Sequence, residues 1–178
     1  MKFEIFSKQN IEKYTGDQPY ILISVAGRHE DGEDGYAELL DDEHRVDVLR
    51  LKFDDITTST NPLSYGMKYT DLIYFDKPHA KQIIEFVNKH KDNVGLICVN
   101  CYAGISRSAG IASALSVIVN GPRSDEWIYQ SPKYYPNPLV YNILLGEHFP
   151  NGYDEIEKYD LWWNRHAKDI MDQKDDDK

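Results

Sequence analysis

Val94-Gly95-Leu96-Ile97-Cys98-Val99-Asn100-Cys101-Tyr102-Ala103-Gly104-Ile105-Ser106-Arg107-Ser108 carries the chain from an apolar run, through a bend at glycine, to a basic residue. The run Val94 to Val99 has the length and composition of a buried strand. Ser108 to Val119 is built of small and apolar residues and stops at Asn120-Gly121-Pro122, as a buried helix does. The unit predicted is strand, tight loop, helix. A loop entering a helix turns several N–H groups into one concavity, where the helix dipole adds partial positive charge. A dianionic phosphate fits such a place. The same field favours the thiolate of a cysteine at the loop entrance, and a thiolate is a nucleophile where a thiol is a poor one. At the other end Arg107, planar and always charged, is suited to grip two phosphoryl oxygens.

The spacing alone is weak evidence. With two cysteines in 178 residues, a Cys-x5-Arg pair arises by composition with a probability of roughly 0.07, and requiring Gly104 at the bend lowers that to about 0.004. The strand before and the helix after lower it further.

The stretch Cys101 to Ser108 resembles the signature loop of the cysteine-dependent protein tyrosine and dual-specificity phosphatases, Cys-x5-Arg-Ser/Thr, and is most like the small predicted tyrosine phosphatases of bacteria and phages. Downstream, Ser131-Pro132-Lys133-Tyr134-Tyr135-Pro136-Asn137, with Leu139 and Leu144-Leu145-Gly146, is similar to the Ser-Pro…Pro-Asn segment that opens a late helix in that family. Upstream, Leu49 to Ile56 looks like the strand that leads into the general-acid loop. The matching pieces run from about residue 46 to about residue 148. One departure is plain: the family carries histidine immediately before its cysteine, and this chain has Asn100, which can donate from its amide but differs in reach and cannot titrate. The resemblance implies a phosphotyrosine-phosphatase-like α/β fold, with a single central sheet flanked by helices.

The chemistry implied needs a proton donor. Cys101 attacks phosphorus, the leaving oxygen takes a proton, and water then clears the cysteinyl phosphate. A carboxylic acid on a loop serves both steps, since it can afterwards activate the water as base. Asp55 is the candidate because it lies where the strand Val46 to Phe53 runs out and matches the family's acid position. Asp54 is the alternative general acid, and Asp71 comes after it. Among thirty acidic residues, an Asp at a strand end is also an ordinary turn or cap residue. The loop residues Tyr102, Ala103, Gly104, Ile105, Ser106 and Arg107 are expected to bind phosphate. Tyr102 should contribute its N–H inward and turn its ring outward. Ser106 should satisfy the loop's own backbone. Ser108 either bonds the sulfur and eases its departure, the role the resemblance favours, or caps the helix start.

Cys98-Val99-Asn100-Cys101 also reads as Cys-x-x-Cys. A redox pair of that kind opens a helix, whereas Cys98 lies within an apolar strand, so core packing is the expectation; the sharper alternative is a resolving thiol for oxidised Cys101. Two cysteines and six histidines show no ligand pairs at metal spacing, so neither metal nor other cofactor is expected.

A hydrophobic content of 41% supports a core, and one catalytic domain is expected over residues 1–168, with an acidic tail over 169–178 holding five Asp and two Lys. A net charge of −10 argues against nucleic acid or an anionic membrane as partner. The expected partner is a phosphorylated protein or a small phosphomonoester. The beginning Met1 to Phe6 is too short and acidic for a signal peptide, and a working thiol suits a reducing compartment, so a cytoplasmic location is expected. Strands are predicted at Met1–Phe6, Tyr20–Val25, Val46–Phe53 and Gly95–Val99. Helices are predicted at Lys8–Tyr14, Pro78–His90, Ser108–Val119, Ser124–Gln130, Pro138–His148 and Tyr153–Met171. The polar stretch between Ile56 and Tyr69 reads as a lid or a surface loop, the histidines as surface residues, and Trp162 and Trp163 as packing for the last helix. Arg28, in a charged glycine-rich segment, belongs to a solvated turn or to the rim of the pocket.

Three functions compete: a phosphotyrosine phosphatase, with or without action on phosphoserine and phosphothreonine; a small-molecule, nucleotide-terminal or inositol phosphatase using the same chemistry; and a catalytically weak phosphate-binding module. The loop interior holds no lysine, which disfavours a highly phosphorylated inositol, while Asn100 keeps the binding module open.

Overall fold

Tyr20–Ala26 and Leu96–Cys101 are buried at every position, which is how interior strands of a parallel sheet read when both faces are covered. The computed structural model describes residues 1–28, 35–57 and 72–149. In chain order the elements are β1 (Lys2–Ser7), α1 (Lys8–Ile11), β2 (Tyr20–Ala26), β3 (Arg45–Lys52), α2 (Lys77–His90), β4 (Leu96–Cys101), α3 (Arg107–Asn120), α4 (Glu126–Tyr129) and α5 (Pro138–His148). The strands form one four-stranded sheet in the order β1-β4-β2-β3 with every pairing parallel. This is the α/β architecture expected, with β1 and β3 as the partly exposed edges.

Strand alternation divides the core. Ile21, Ile23, Val25, Ile97, Val99 and Cys101 face one layer, with Ile83 and Val87 of α2, Ile111 and Leu115 of α3, and Leu144 of α5. Leu22, Leu96 and Cys98 face the other, with Ile11 of α1 and Ala37. Each fully buried aliphatic side chain contributes roughly 1.5–3 kcal/mol. Both layers therefore hold the carboxyl ends of β1, β4 and β2 in one place, and there the loop after β4 emerges. Gly110 lets α3 approach the start of α5, since a Cβ there would come within 2.8 Å of the Asn137 carbonyl oxygen.

Several boundaries differ from expectation, for physical reasons. The predicted helix Lys8–Tyr14 stops at Ile11, because Lys13 N–H and Tyr14 N–H bond three residues back, to Asn10 and Ile11, tightening the turn. Tyr14 then packs its ring on Phe6 and Tyr20. The helix expected at Ser124–Gln130 shortens to Glu126–Tyr129. Two histidines are not plain surface residues. His90 is buried and bonds Asp47 at 2.9 Å, while His79 stacks on Phe75 and completes a capping box with Asp76 at the start of α2. No helix among the described residues is long and apolar enough to cross a membrane. The predicted helix 153–171 with Trp162 and Trp163, the tail 169–178, Asp71, and most of the polar stretch before it lie outside the described residues.

Candidate active site

Cys101 ends β4 opposite Ser7 of β1 and is 2% exposed. The loop beyond it bends at Gly104, whose φ of 71° favours glycine. Space demands glycine as well: a Cβ at 104 would lie 2.5 Å from the Ser7 nitrogen and 2.6 Å from the Phe6 carbonyl carbon. The loop thus rests directly on the end of β1.

Backbone donors outside the loop hold its carbonyls. Lys8 N–H donates to Tyr102 O at 3.0 Å, Tyr135 N–H to Ile105 O at 3.0 Å, and Asn137 N–H to Ser106 O at 3.1 Å, with Gly110 N–H also reaching Ser106 O at 2.8 Å. A trans peptide points its C=O and its N–H in opposite directions. The N–H groups of Ala103, Ser106 and Arg107 are therefore turned away from those partners. Ser106 is the N-cap of α3 but makes no side-chain capping bond, so it leaves the first-turn N–H groups of that helix to other acceptors.

The side chains expected to act converge here. Ser108 Oγ lies 3.1 Å from Cys101 Sγ, both residues buried, which is the sulfur-bonding arrangement rather than the capping one. Arg107 is also buried and donates from Nη1 to Phe53 O at 3.1 Å. That carbonyl lies just past β3, two residues before Asp55. Asp55 itself is exposed, and its Oδ1 accepts from Ser106 Oγ at 2.7 Å and from Asn137 Nδ2 at 2.8 Å. Ser106 was expected to serve the loop's own backbone; instead its hydroxyl goes to the carboxylate, a stronger acceptor than a neutral carbonyl. Asp54 is placed differently. Its Oδ1 accepts from Arg28 N–H at 2.8 Å and its Oδ2 from Ile73 N–H at 2.7 Å, so both oxygens pin backbone and neither reaches the loop.

Asn137, read from the sequence only as part of the segment that opens a late helix, also belongs to this site. It is 1% exposed, and its Oδ1 caps α5 by accepting from Leu139 N–H at 3.0 Å and Val140 N–H at 3.1 Å. Its Nδ2 donates to Ile56 O at 3.0 Å as well as to Asp55. An asparagine directly before a proline that opens a helix is a capping signal, and that was its legible part.

Alternation along β4 separates the two thiols. Cys101 packs in the layer of α2, α3 and α5, and Cys98 in that of α1. Burial, reinforced by the Glu4 carboxylate, pushes the Cys98 thiol far above its ordinary range. Cys98 is a core residue. Asn100 shares its side of the sheet, and among the described residues its Oδ1 has no hydrogen-bond partner; nor does the hydroxyl of Ser24, its neighbour in register on β2. At the surface of the loop, Tyr102 and Ile105 are 49% and 37% exposed, so the Tyr102 ring faces outward as expected.

No protein-family model matches the chain, and neither does any curated protein. Among solved structures it is similar to Tk-PTP in its active form, with a TM-score of 0.50 at 12% identity over 82% of this chain and 89% of that one. It is also similar to the human tyrosine phosphatase-like serine/threonine/tyrosine-interacting protein, with a TM-score of 0.47 at 15% identity over 82% of this chain and 78% of that one. A third likeness is to PTPMT1, with a TM-score of 0.44 at 17% identity over 82% of each chain. At these identities the likeness is one of architecture, and the chain has a tyrosine-phosphatase-like α/β fold.

Proposed function

We propose that this chain is a cysteine-dependent phosphomonoester hydrolase of the protein tyrosine and dual-specificity phosphatase superfamily, of the small bacterial and phage type, acting on phosphotyrosine in proteins. The observation that carries the reading is the Cys101 Sγ to Ser108 Oγ contact of 3.1 Å, at the mouth of a loop whose carbonyls are held outward. The inward N–H groups and the start of α3 form a seat for the phosphoryl oxygens. Arg107 spans two of them and holds the charge that spreads there in the transition state.

Cys101 as thiolate attacks phosphorus in line with the ester oxygen. The S–P bond forms as the P–O bond breaks, and the leaving oxygen takes the proton of Asp55. Water then attacks the cysteinyl phosphate, its proton passing to the Asp55 carboxylate. The S–P electron pair returns to sulfur, where the Ser108 hydroxyl stabilises the charge. Asp55 takes this role over Asp54 because it is exposed above the loop, whereas both oxygens of Asp54 are engaged by backbone. A nucleophilic thiol works in a reducing compartment, and we place the protein in the cytoplasm on that ground.

Turnover of an aryl phosphate, with inhibition by vanadate, tests the reading in the wild type, Cys101→Ser and Asp55→Asn. Cys101→Ser is expected to lose at least about 10⁴-fold in kcat while still binding phosphate, and Asp55→Asn about 10²–10³-fold. A wild type that binds phosphate without turnover would instead be a binding module, the reading that Asn100 in place of the family's histidine keeps in play. Faster turnover of small alkyl or nucleotide monoesters than of phosphotyrosine peptides would move the substrate to small molecules.

A further inference from the structure

We infer that Asn137 is the positioning residue for the general acid and decides which oxygen of Asp55 carries the proton; this rests on the assignment of Asp55 above. Ser106 Oγ and Asn137 Nδ2 both donate to Oδ1 of Asp55. An oxygen accepting two donors at hydrogen-bond distance has its lone pairs occupied, so a proton on the carboxyl group resides on Oδ2. Among the described residues Oδ2 has no hydrogen-bond partner. The acid is thereby held with one oxygen fixed and the other left to exchange a proton with substrate.

Four further bonds make Asn137 rigid enough for the task. Its Nδ2 holds Ile56 O, its Oδ1 is tied to the first turn of α5, and its backbone N–H is tied to Ser106 O of the loop. One buried side chain thus links the segment carrying the acid, the loop carrying the nucleophile, and the helix that follows. Ser106 alone would not suffice, because its hydroxyl sits on the loop and can rotate. The amide of Asn137 cannot turn without giving up the α5 cap.

A positioning role has a signature that a structural role lacks. Delivery of a proton matters most for a poor leaving group and least for a good one. The test compares 4-nitrophenyl phosphate with an unactivated alkyl or phenyl phosphate in the wild type, Asp55→Asn, Asn137→Ser and Asn137→Asp. Serine and aspartate both keep an acceptor for the α5 cap and remove the amide donor. Asn137→Ser is expected to lose about tenfold more kcat on the unactivated ester than on the activated one, in the same sense as Asp55→Asn. Combined with Asp55→Asn it should add little, because both act on one proton. Equal losses on both esters with Asp55→Asn still selective would overturn the inference and leave the phosphatase reading standing. If Asn137→Ser folds poorly by thermal melt, the same comparison with Asn137→Asp decides. No turnover in the wild type would overturn the phosphatase reading and this inference together.

Discussion

Asp42 and Asp55 stand at opposite ends of one parallel sheet, and donors surround the first while reaching only one oxygen of the second. Before β3, Asp42 takes Gly16 N–H and the Tyr20 hydroxyl on Oδ2, each at 2.8 Å, and His44 N–H on Oδ1 at 2.9 Å. Its side chain is 3% exposed. Burial works against its charge, yet the two backbone N–H groups and the Tyr20 hydroxyl outweigh that and bring its pKa down to about 2. Beyond β3, Asp55 is exposed and both its donors converge on Oδ1. A carboxylate with donors on both oxygens is fixed in charge and ties loops together; one with an oxygen to spare can trade a proton. On the proposed function, the two ends of the strands divide the work between holding the fold and acting on substrate.

If that division is right, damage at the carboxyl end should appear in rate and damage at the amino end in stability. After Cys101→Ser, the largest effect belongs to Arg107→Lys. Lysine keeps the charge but loses the planar pair of donors and the bond to Phe53 O, so kcat/KM on an aryl phosphate should fall about 10²–10³-fold, equivalent to about 3–4 kcal/mol of transition-state stabilisation. A variant within tenfold of wild type would remove Arg107 from the transition state and break the comparison at its active end.

How far the sequence could be read follows the range of the contacts. The strand, loop and helix around Cys101 were legible because the signals that announce them are local: an apolar run, a glycine at the bend where φ is 71°, and small residues packed into α3. The sheet and its helical layers followed from the same patterns. The Ser106–Asp55 and Asn137–Asp55 bonds join residues 51 and 82 positions apart, and no periodicity announces a contact of that span. Likewise two adjacent aspartates after β3 look alike as letters. They part only once Arg28 and Ile73 are seen to bind one and Ser106 and Asn137 the other. His90 was a readable miss: with Ala80, Ile83 and Val87 it continues the buried stripe of α2 at helical spacing, and Asp47 meets it there.

The next effect tests the amino end. Asp42→Asn should lower the unfolding free energy at neutral pH by about 2–3 kcal/mol, since donors to a charged acceptor are lost and one N–H is left facing another donor, while turnover stays within twofold. The pH dependence has a definite sign. Unfolded, the carboxyl group titrates near 3.8; folded, near 2, so between these values the unfolded chain binds more protons. The contribution of Asp42 is complete above about pH 4–5 and is lost as pH falls toward 2. Denaturant titrations at successive pH values should show a steeper acid decline in wild type than in Asp42→Asn. Parallel curves would mean that Asp42 does not hold this end of the sheet.

The smallest effect concerns the strand that joins the two ends. Cys98 and Cys101 are three residues apart on β4, so their side chains leave opposite faces of the sheet. Cys98→Ala should cost about 1–2 kcal/mol of stability for the lost packing and leave turnover within twofold. Iodoacetamide on the native protein should label Cys101 and spare Cys98, because the buried Cys98 thiol, with its pKa pushed up, has little thiolate. Denaturation should expose both thiols to the reagent. Peroxide treatment sharpens the point: with the sheet between them, the sulfurs cannot meet within the Cβ separation of about 3.5–4.5 Å that a disulfide requires. A Cys98–Cys101 disulfide recovered from folded protein would require β4 to untwist at its carboxyl end. The loop would then be a mobile redox element, and the rigidity on which Asp55 depends would be lost.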